Sequence, residues 1–319
     1  MNGFGEYQVI PIKNKYISIS LAIFFFLAVY IYSSLPWAFS WGPSSNYQNV
    51  SVRTTVNVNE SFPEITNISC NNGASITLNA GTTKTINCTI TIMDYEGGAN
   101  INRTNITFYY YLNNSVDPND NNTHYTNASC VNTSDDGLYT VNWTCSLDLL
   151  YYANNGTWTA NASIWDDMDN SDTFIKNFTI NALYALNVTS LIDFGNVPVG
   201  DTSTEQQANI TNFGNRDINI SIYGFGGQNE TTYAGLAMVC AQRNITISNE
   251  RYSITSGAGY AAMTSVQTSY ATIAGLKIIQ QTDDTLQVIN STYWTLHVNV
   301  STNPFGICNG TVVFAAIAP

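Results

Sequence analysis

Charge is what this chain has least of. Only 10% of its residues are Asp, Glu, Lys or Arg, against about 25% in a typical soluble domain. Ten Lys and Arg face 22 Asp and Glu, for a net charge of −12. Without a basic run anywhere, the chain lacks the electrostatic footprint that nucleic acid or an anionic membrane surface requires. Its acidic residues are too sparse for the charge-coated surface of a halophile. Histidine is scarcer still, at two residues, so a Ser–His nucleophile has few candidates. There is no Cys-x-x-Cys, and neither His124 nor His297 lies near a Cys pair, which argues against zinc. No G-x-S-x-G, P-loop, dinucleotide fingerprint or zinc-protease motif appears, and no cofactor is expected. A carboxylate pair for glycoside hydrolysis depends on spacing in space, which sequence does not report. Such a cleft also needs aromatic lining, and many Tyr and Trp here fall on alternating core faces. The reading is therefore of a non-enzyme.

A long apolar run occurs once, near the N-terminus. Residues 17–32, ISISLAIFFFLAVYIY, carry no charge and follow Lys13 and Lys15. A positive flank before an apolar run fits a signal peptide or a signal-anchor helix. Ala38-Phe39-Ser40 suits cleavage after Ser40, while extension to Leu35 makes a run long enough to span a bilayer. Residues 1–40 are thus a targeting segment, with the membrane as partner if it is retained.

What replaces charge is Asn, Ser and Thr. The chain has 41 Asn, and Ser plus Thr account for 64 of 319 residues. From these numbers chance gives roughly eight Asn-X-Ser/Thr acceptor patterns; the sequence has 22. They are Asn49, Asn59, Asn67, Asn87, Asn102, Asn105, Asn113, Asn121, Asn127, Asn132 and Asn142, then Asn155, Asn161, Asn177, Asn187, Asn209, Asn219, Asn229, Asn244, Asn290, Asn299 and Asn309. All lie downstream of the apolar run. Their phase matters as much as their number, because side chains of a half-buried strand alternate with period two. In INCTITI, Ile86, Cys88, Ile90 and Ile92 share one face and Asn87 takes the other. Tyr139, Val141, Trp143 and Cys145 oppose Asn142, and Trp158, Ala160, Ala162 and Ile164 oppose Asn161. Outward placement is what a glycan acceptor requires, and glycans would keep a charge-poor chain soluble.

Short alternating runs punctuated by turn residues, without a helical repeat, predict an all-β chain. Residues 60–183 are expected to form one immunoglobulin-like β-sandwich and residues 184–319 a second, after a linker or first strand at 41–59. Residues 256–276, richer in Ala and Gly, are compatible with a short helix or loops. Six cysteines in an exported chain make three disulfides the simplest outcome. Cys240 and Cys308 are the only two in the second unit. In the first, Cys70 and Cys88 are nearly symmetric about an Asn79–Gly81 turn, and Cys130 and Cys145 about an Asp-Asp-Gly turn, which favours those pairings. The acidic run Asp166, Asp167, Asp169 and Asp172 lacks the Gly and distal Glu of a calcium loop and reads as a solvated turn. Asp117 and Asp120 read the same way.

Several segments resemble a known family. YYANNGTWTANASIWD, residues 151–166, is similar to a motif in immunoglobulin-like modules of archaeal cell-surface proteins. IDFGNVPVG at 192–200 and ITNFGNRDINISIYG at 210–224 look like the opening of a second such module, and residues 291–316 like its close. The resemblance implies surface glycoproteins, adhesins or envelope components, and it speaks to fold rather than to a partner. Three functions follow as expectations. The first is a structural or adhesive surface glycoprotein, which would contact other envelope proteins or glycans. The second is a self-associating filament subunit that assembles by strand addition, with residues 49–58 and the apolar tail VVFAAIA as candidate donor strands. The third is a glycan-binding or carbohydrate-active module.

Overall fold

A computed structural model describes residues 51–285 and 287–319. The targeting segment and Asn49 lie outside the described residues. Among the described residues, no helix is long and apolar enough to cross a membrane. Residues 59–319 form one compact unit that contains both sandwiches.

The first sandwich begins with β1 (Glu64–Cys70), β2 (Thr83–Met93), β3 (Ile101–Tyr110) and β4 (His124–Asn127). It continues with β5 (Val131–Asp135), β6 (Thr140–Leu150), β7 (Gly156–Asp166) and β8 (Ser171–Ile180). One sheet has the order β1-β2-β6-β5 and the other β4-β3-β7-β8, the immunoglobulin-like arrangement. Period-two alternation produces it directly. On β2, Ile86, Cys88, Ile90 and Ile92 are buried while Thr85 and Asn87 are exposed. On β7, Trp158, Ala160, Ala162 and Ile164 are fully buried, and the Trp158 ring lies 5.1 Å from that of Phe108. Each large aliphatic side chain on these inner faces contributes about 1.5–3 kcal/mol by leaving water.

The second sandwich comprises β9 (Leu186–Val188), β10 (Gln206–Asn212), β11 (Ile218–Gly226), the short α1 (Glu230–Tyr233), β12 (Leu236–Gln242) and β13 (Asn244–Thr246). It ends with β14 (Glu250–Ser253), β15 (Thr264–Ser265), β16 (Ala271–Ile278), β17 (Ile289–Leu296) and β18 (Phe305–Ile317). Its sheets run β15-β14-β17-β10-β9 and β13-β12-β18-β11-β16. Ala208, Ile210, Ile218, Ile220, Ile222 and Trp294 form the centre of its core.

The junction between the sandwiches is built by the motifs that carried the family resemblance. Asn215 is fully buried. Its Oδ1 accepts from Leu183 N at 2.7 Å, and its Nδ2 donates to Asn181 O at 3.0 Å and Ala153 O at 3.1 Å. Phe213 O accepts from Gly81 N at 3.2 Å, and its ring lies 5.5 Å from that of Tyr151. Gln280 Nε2 donates to Tyr152 O at 2.8 Å and Asn154 Oδ1 at 2.9 Å. Gly214 is glycine for a visible reason: a Cβ there would sit 2.1 Å from Leu183 O.

Two expectations need correction, those for Tyr139 and for the tail, while residues 51–59 and 256–276 take one of the alternatives the sequence offers. Tyr139 precedes β6 and is 48% exposed, so the inner face of that strand starts at Val141. Residues 51–63 form no strand, because β1 starts only at Glu64. The stretch 256–276 contains only a single 3₁₀ turn, Tyr260–Ala262, between short strands. Finally, the tail VVFAAIA is no free donor. It lies in β18, paired with β11 from Asn219↔Ile317 to Gly226↔Gly310.

Candidate functional site

Among the described residues, no group of three or more His, Cys, Asp or Glu is placed to hold a metal ion. Asp166 is buried and organises its own turn, its carboxylate accepting from Met168 N, Asn170 N and Asn170 Nδ2 at 2.8–2.9 Å. His124 is buried against Tyr109, and His297 Nδ1 lies 3.1 Å from Thr202 Oγ1. The two histidines sit in different sandwiches.

The most distinctive feature is the edge of β18. Residues 310–317 pair with β11, whereas β12 meets β18 only through Asn309, Cys308 and Phe305. Gly227 N donates to Asn309 O at 2.8 Å, so Asn309 and the odd-numbered residues after it direct their backbone groups to β11. By antiparallel alternation, Val312, Phe314 and Ala316, beyond the part of β18 that meets β12, direct theirs to the opposite edge. Among the described residues no strand pairs there.

The side chains beside that edge are incompletely covered. Val312, Phe314 and Ala316 pack on the core yet remain only half-buried, as do Leu186, Val188, Ile192 and Val197 from β9 and the run after it. A cleft of ≈ 960 Å³ opens beside the first half of β18, lined by residues 191–199 and 304–310 with Met238, Ile245, Leu296 and Val298. Asp193 is the only charged residue in that lining, and its carboxylate is engaged by Gly195 N at 2.9 Å. The cleft therefore suits an uncharged, apolar occupant. The outer face of β18 is apolar as well, with Val313, Ala315 and Ile317 half-buried. β18 lies inside its sheet, between β12 and β11, but from Val312 onward only its β11 side is paired.

The cysteines form three disulfides: Cys70–Cys88, Cys130–Cys145 and Cys240–Cys308. Cys70 is the register partner of Cys88, and Cys88 of Cys145. Two bonds therefore lie side by side in one row across β1, β2 and β6, Cys130 standing just before β5. The Cys70–Cys88 connection is not a tight hairpin, since the chain between makes a 3₁₀ turn and a bridge from Ile76 to Ile180. Cys240–Cys308 ties β12 to the first half of β18 beside the cleft.

Of the 21 described sequon asparagines, ten are exposed, eleven are half-buried and none is buried. Asn59, Asn187, Asn229 and Asn309 are among the exposed. Some amide nitrogens are engaged: Asn142 donates to Ser134 Oγ at 2.9 Å, Asn127 to Ser146 O at 2.7 Å and Asn290 to Lys277 O at 3.1 Å. Modification at those three sites requires the side chain to give up its partner.

No family model and no curated protein matches the sequence. Several solved structures resemble the fold. One, described as carbohydrate-binding modules from the β-sandwich superfamily, is 10% identical at a TM-score of 0.25, over 81% of this chain and 98% of that one. The CsuC–CsuE chaperone–tip adhesion subunit pre-assembly complex of Csu pili from Acinetobacter baumannii is 11% identical at 0.31, over 76% and 96%. The partial N-terminal region of an enterococcal surface protein is 9% identical at 0.19, over 83% and 93%. Likenesses this distant assign neither ligand nor partner; the fold rests on the strand order itself.

Proposed function

We propose that this chain is an exported surface protein with a structural or adhesive role in the cell envelope, glycosylated on many of its sequon asparagines. The observation that carries the reading is the joint placement of cysteines and sequons. All six cysteines are bonded, a state that persists in oxidising compartments, and no described sequon asparagine is buried. Twenty-two sequons are nearly three times the roughly eight that composition supplies. Glycans of this density would supply the hydration that 10% charged residues do not. A role in binding or scaffolding, rather than catalysis, fits a cleft whose single carboxylate is engaged by a backbone amide.

The experiment is protease shaving of intact cells, followed by intact-mass analysis of the native protein before and after deglycosylation. Release of fragments from residues 59–319, with a mass excess removed by deglycosylation, supports the reading. A protein protected from protease and carrying its bare sequence mass overturns it.

A further inference from the structure

We propose that the open edge of β18 in one copy is filled by residues 51–58 of a second copy, which adds a strand and links the chains head to tail. This names the partner of the surface protein proposed above and rests on that reading only for where assembly takes place.

The acceptor is the edge already described. Val312, Phe314 and Ala316 present backbone groups to a side where no described strand pairs. The half-buried side chains flanking it would lose their remaining exposure under one added strand. The occupant must be extended, uncharged on one face and apolar at alternate positions. Residues 51–58, SVRTTVNV, have that pattern. Val52, Val56 and Val58 share one face with Thr54, and Ser51, Arg53, Thr55 and Asn57 take the other. The three valines are 79%, 83% and 82% exposed, and the segment has no strand partner. Asn59, the next sequon, falls on the polar face, so a glycan there would point away from the acceptor. An exposed alternating strand and a sheet edge lacking one are complementary in the same sequence.

Donor and acceptor lie on different parts of the chain. β1 starts at Glu64, which pairs with Met93 at the end of β2. The other end of β2 begins at Thr83, two residues after Gly81 makes its junction contact with Phe213. The donor segment precedes β1 of the first sandwich, while the acceptor edge belongs to β18 of the second. Donor and acceptor are different surfaces, so the contact is heterologous, and repetition generates a filament unless the rotation closes a ring.

The test uses the full chain in mild detergent, followed by sedimentation velocity over a concentration series. Wild type is expected to form concentration-dependent multimers, and V52D/V56D to sediment as single chains. The substituted residues are solvent-exposed in the single copy, so its folding is not at stake. The same single chains are then titrated with a labelled peptide of residues 49–60, which should bind. A peptide carrying the two aspartates should bind about 100-fold more weakly, or worse. The proposal is overturned if wild type stays a single chain, if V52D/V56D assembles like wild type, or if the peptide does not bind. The last result is the one expected if a segment following Pro319 or an unrelated protein fills the edge. Surface location is read separately by the shaving experiment, so either idea can fail alone.

Discussion

Glu250 lies on β14 directly opposite Leu296, only 3% exposed, and desolvation pushes its pKa from 4.5 to about 8. Replacing it by Gln removes the titration while keeping the shape. The raised folded value sets the sign. Below pH 4.5 the carboxyl is protonated in both states and costs nothing. Between 4.5 and about 8 the unfolded chain ionises while the folded chain keeps its proton, so stability falls as pH rises. Above about 8 both are ionised and the penalty is constant. Each pH unit crossed inside that window removes about 1.4 kcal/mol, which makes the full penalty about 5 kcal/mol. Urea unfolding from pH 5 to 9, followed through Trp294, whose ring lies 5.5 Å from that of Tyr252 beside Glu250, reads it out. The stability difference between E250Q and wild type should grow by about 1.4 kcal/mol per pH unit and level off near pH 8. Subtraction removes contributions from the two histidines. A difference that stays flat from pH 5 to 9 refutes the assignment of Glu250 as a buried, uncompensated carboxyl.

Other outcomes follow from the same structure. Replacing Cys240 and Cys308 by Ala opens a loop of 68 residues and should cost about 4 kcal/mol; breaking Cys130–Cys145, a separation of 15, should cost about 3 kcal/mol. Both are measured by urea unfolding under oxidising conditions. Asn215→Ala leaves Leu183 N and the carbonyls of Ala153 and Asn181 without their partner and should destabilise by about 2–4 kcal/mol. Calorimetry should then show the two sandwiches unfolding less cooperatively. Gly214→Ala forces a Cβ against Leu183 O and should cost about 1–3 kcal/mol, with increased hydrogen exchange at residues 181–183 and 213–215.

Much of the architecture was legible from local pattern. Ile86, Cys88, Ile90 and Ile92 declare their face because alternation belongs to the strand itself and needs no partner. The same local rule predicts outward Asn87 and Asn161, and the Asp-Asp-Gly turn brings Cys130 and Cys145 together because their separation is short. Pattern failed where the answer depended on what lies across the sheet. VVFAAIA reads as a strand from sequence alone, but periodicity does not say which of its edges is paired. Its composition suits a donor strand, yet pairing with β11 leaves it only an edge to offer. FGNVPVG reads as turn chemistry, yet it buries Phe194 and lines a cleft against residues distant in sequence. Glu250 gave no local warning, since a carboxylate in an alternating strand looks solvated until the facing sheet is known.

The sequence by itself determined strand character, the inward and outward faces, and a position outside the core for its sequon asparagines, all of which follow from residue type and period. Only the tertiary structure decided that Asn215 and Gly214 lock the sandwiches together and that β18 keeps one edge open. Those are pairings between segments far apart along the chain, fixed by which hydrogen-bonding partners the whole fold leaves available.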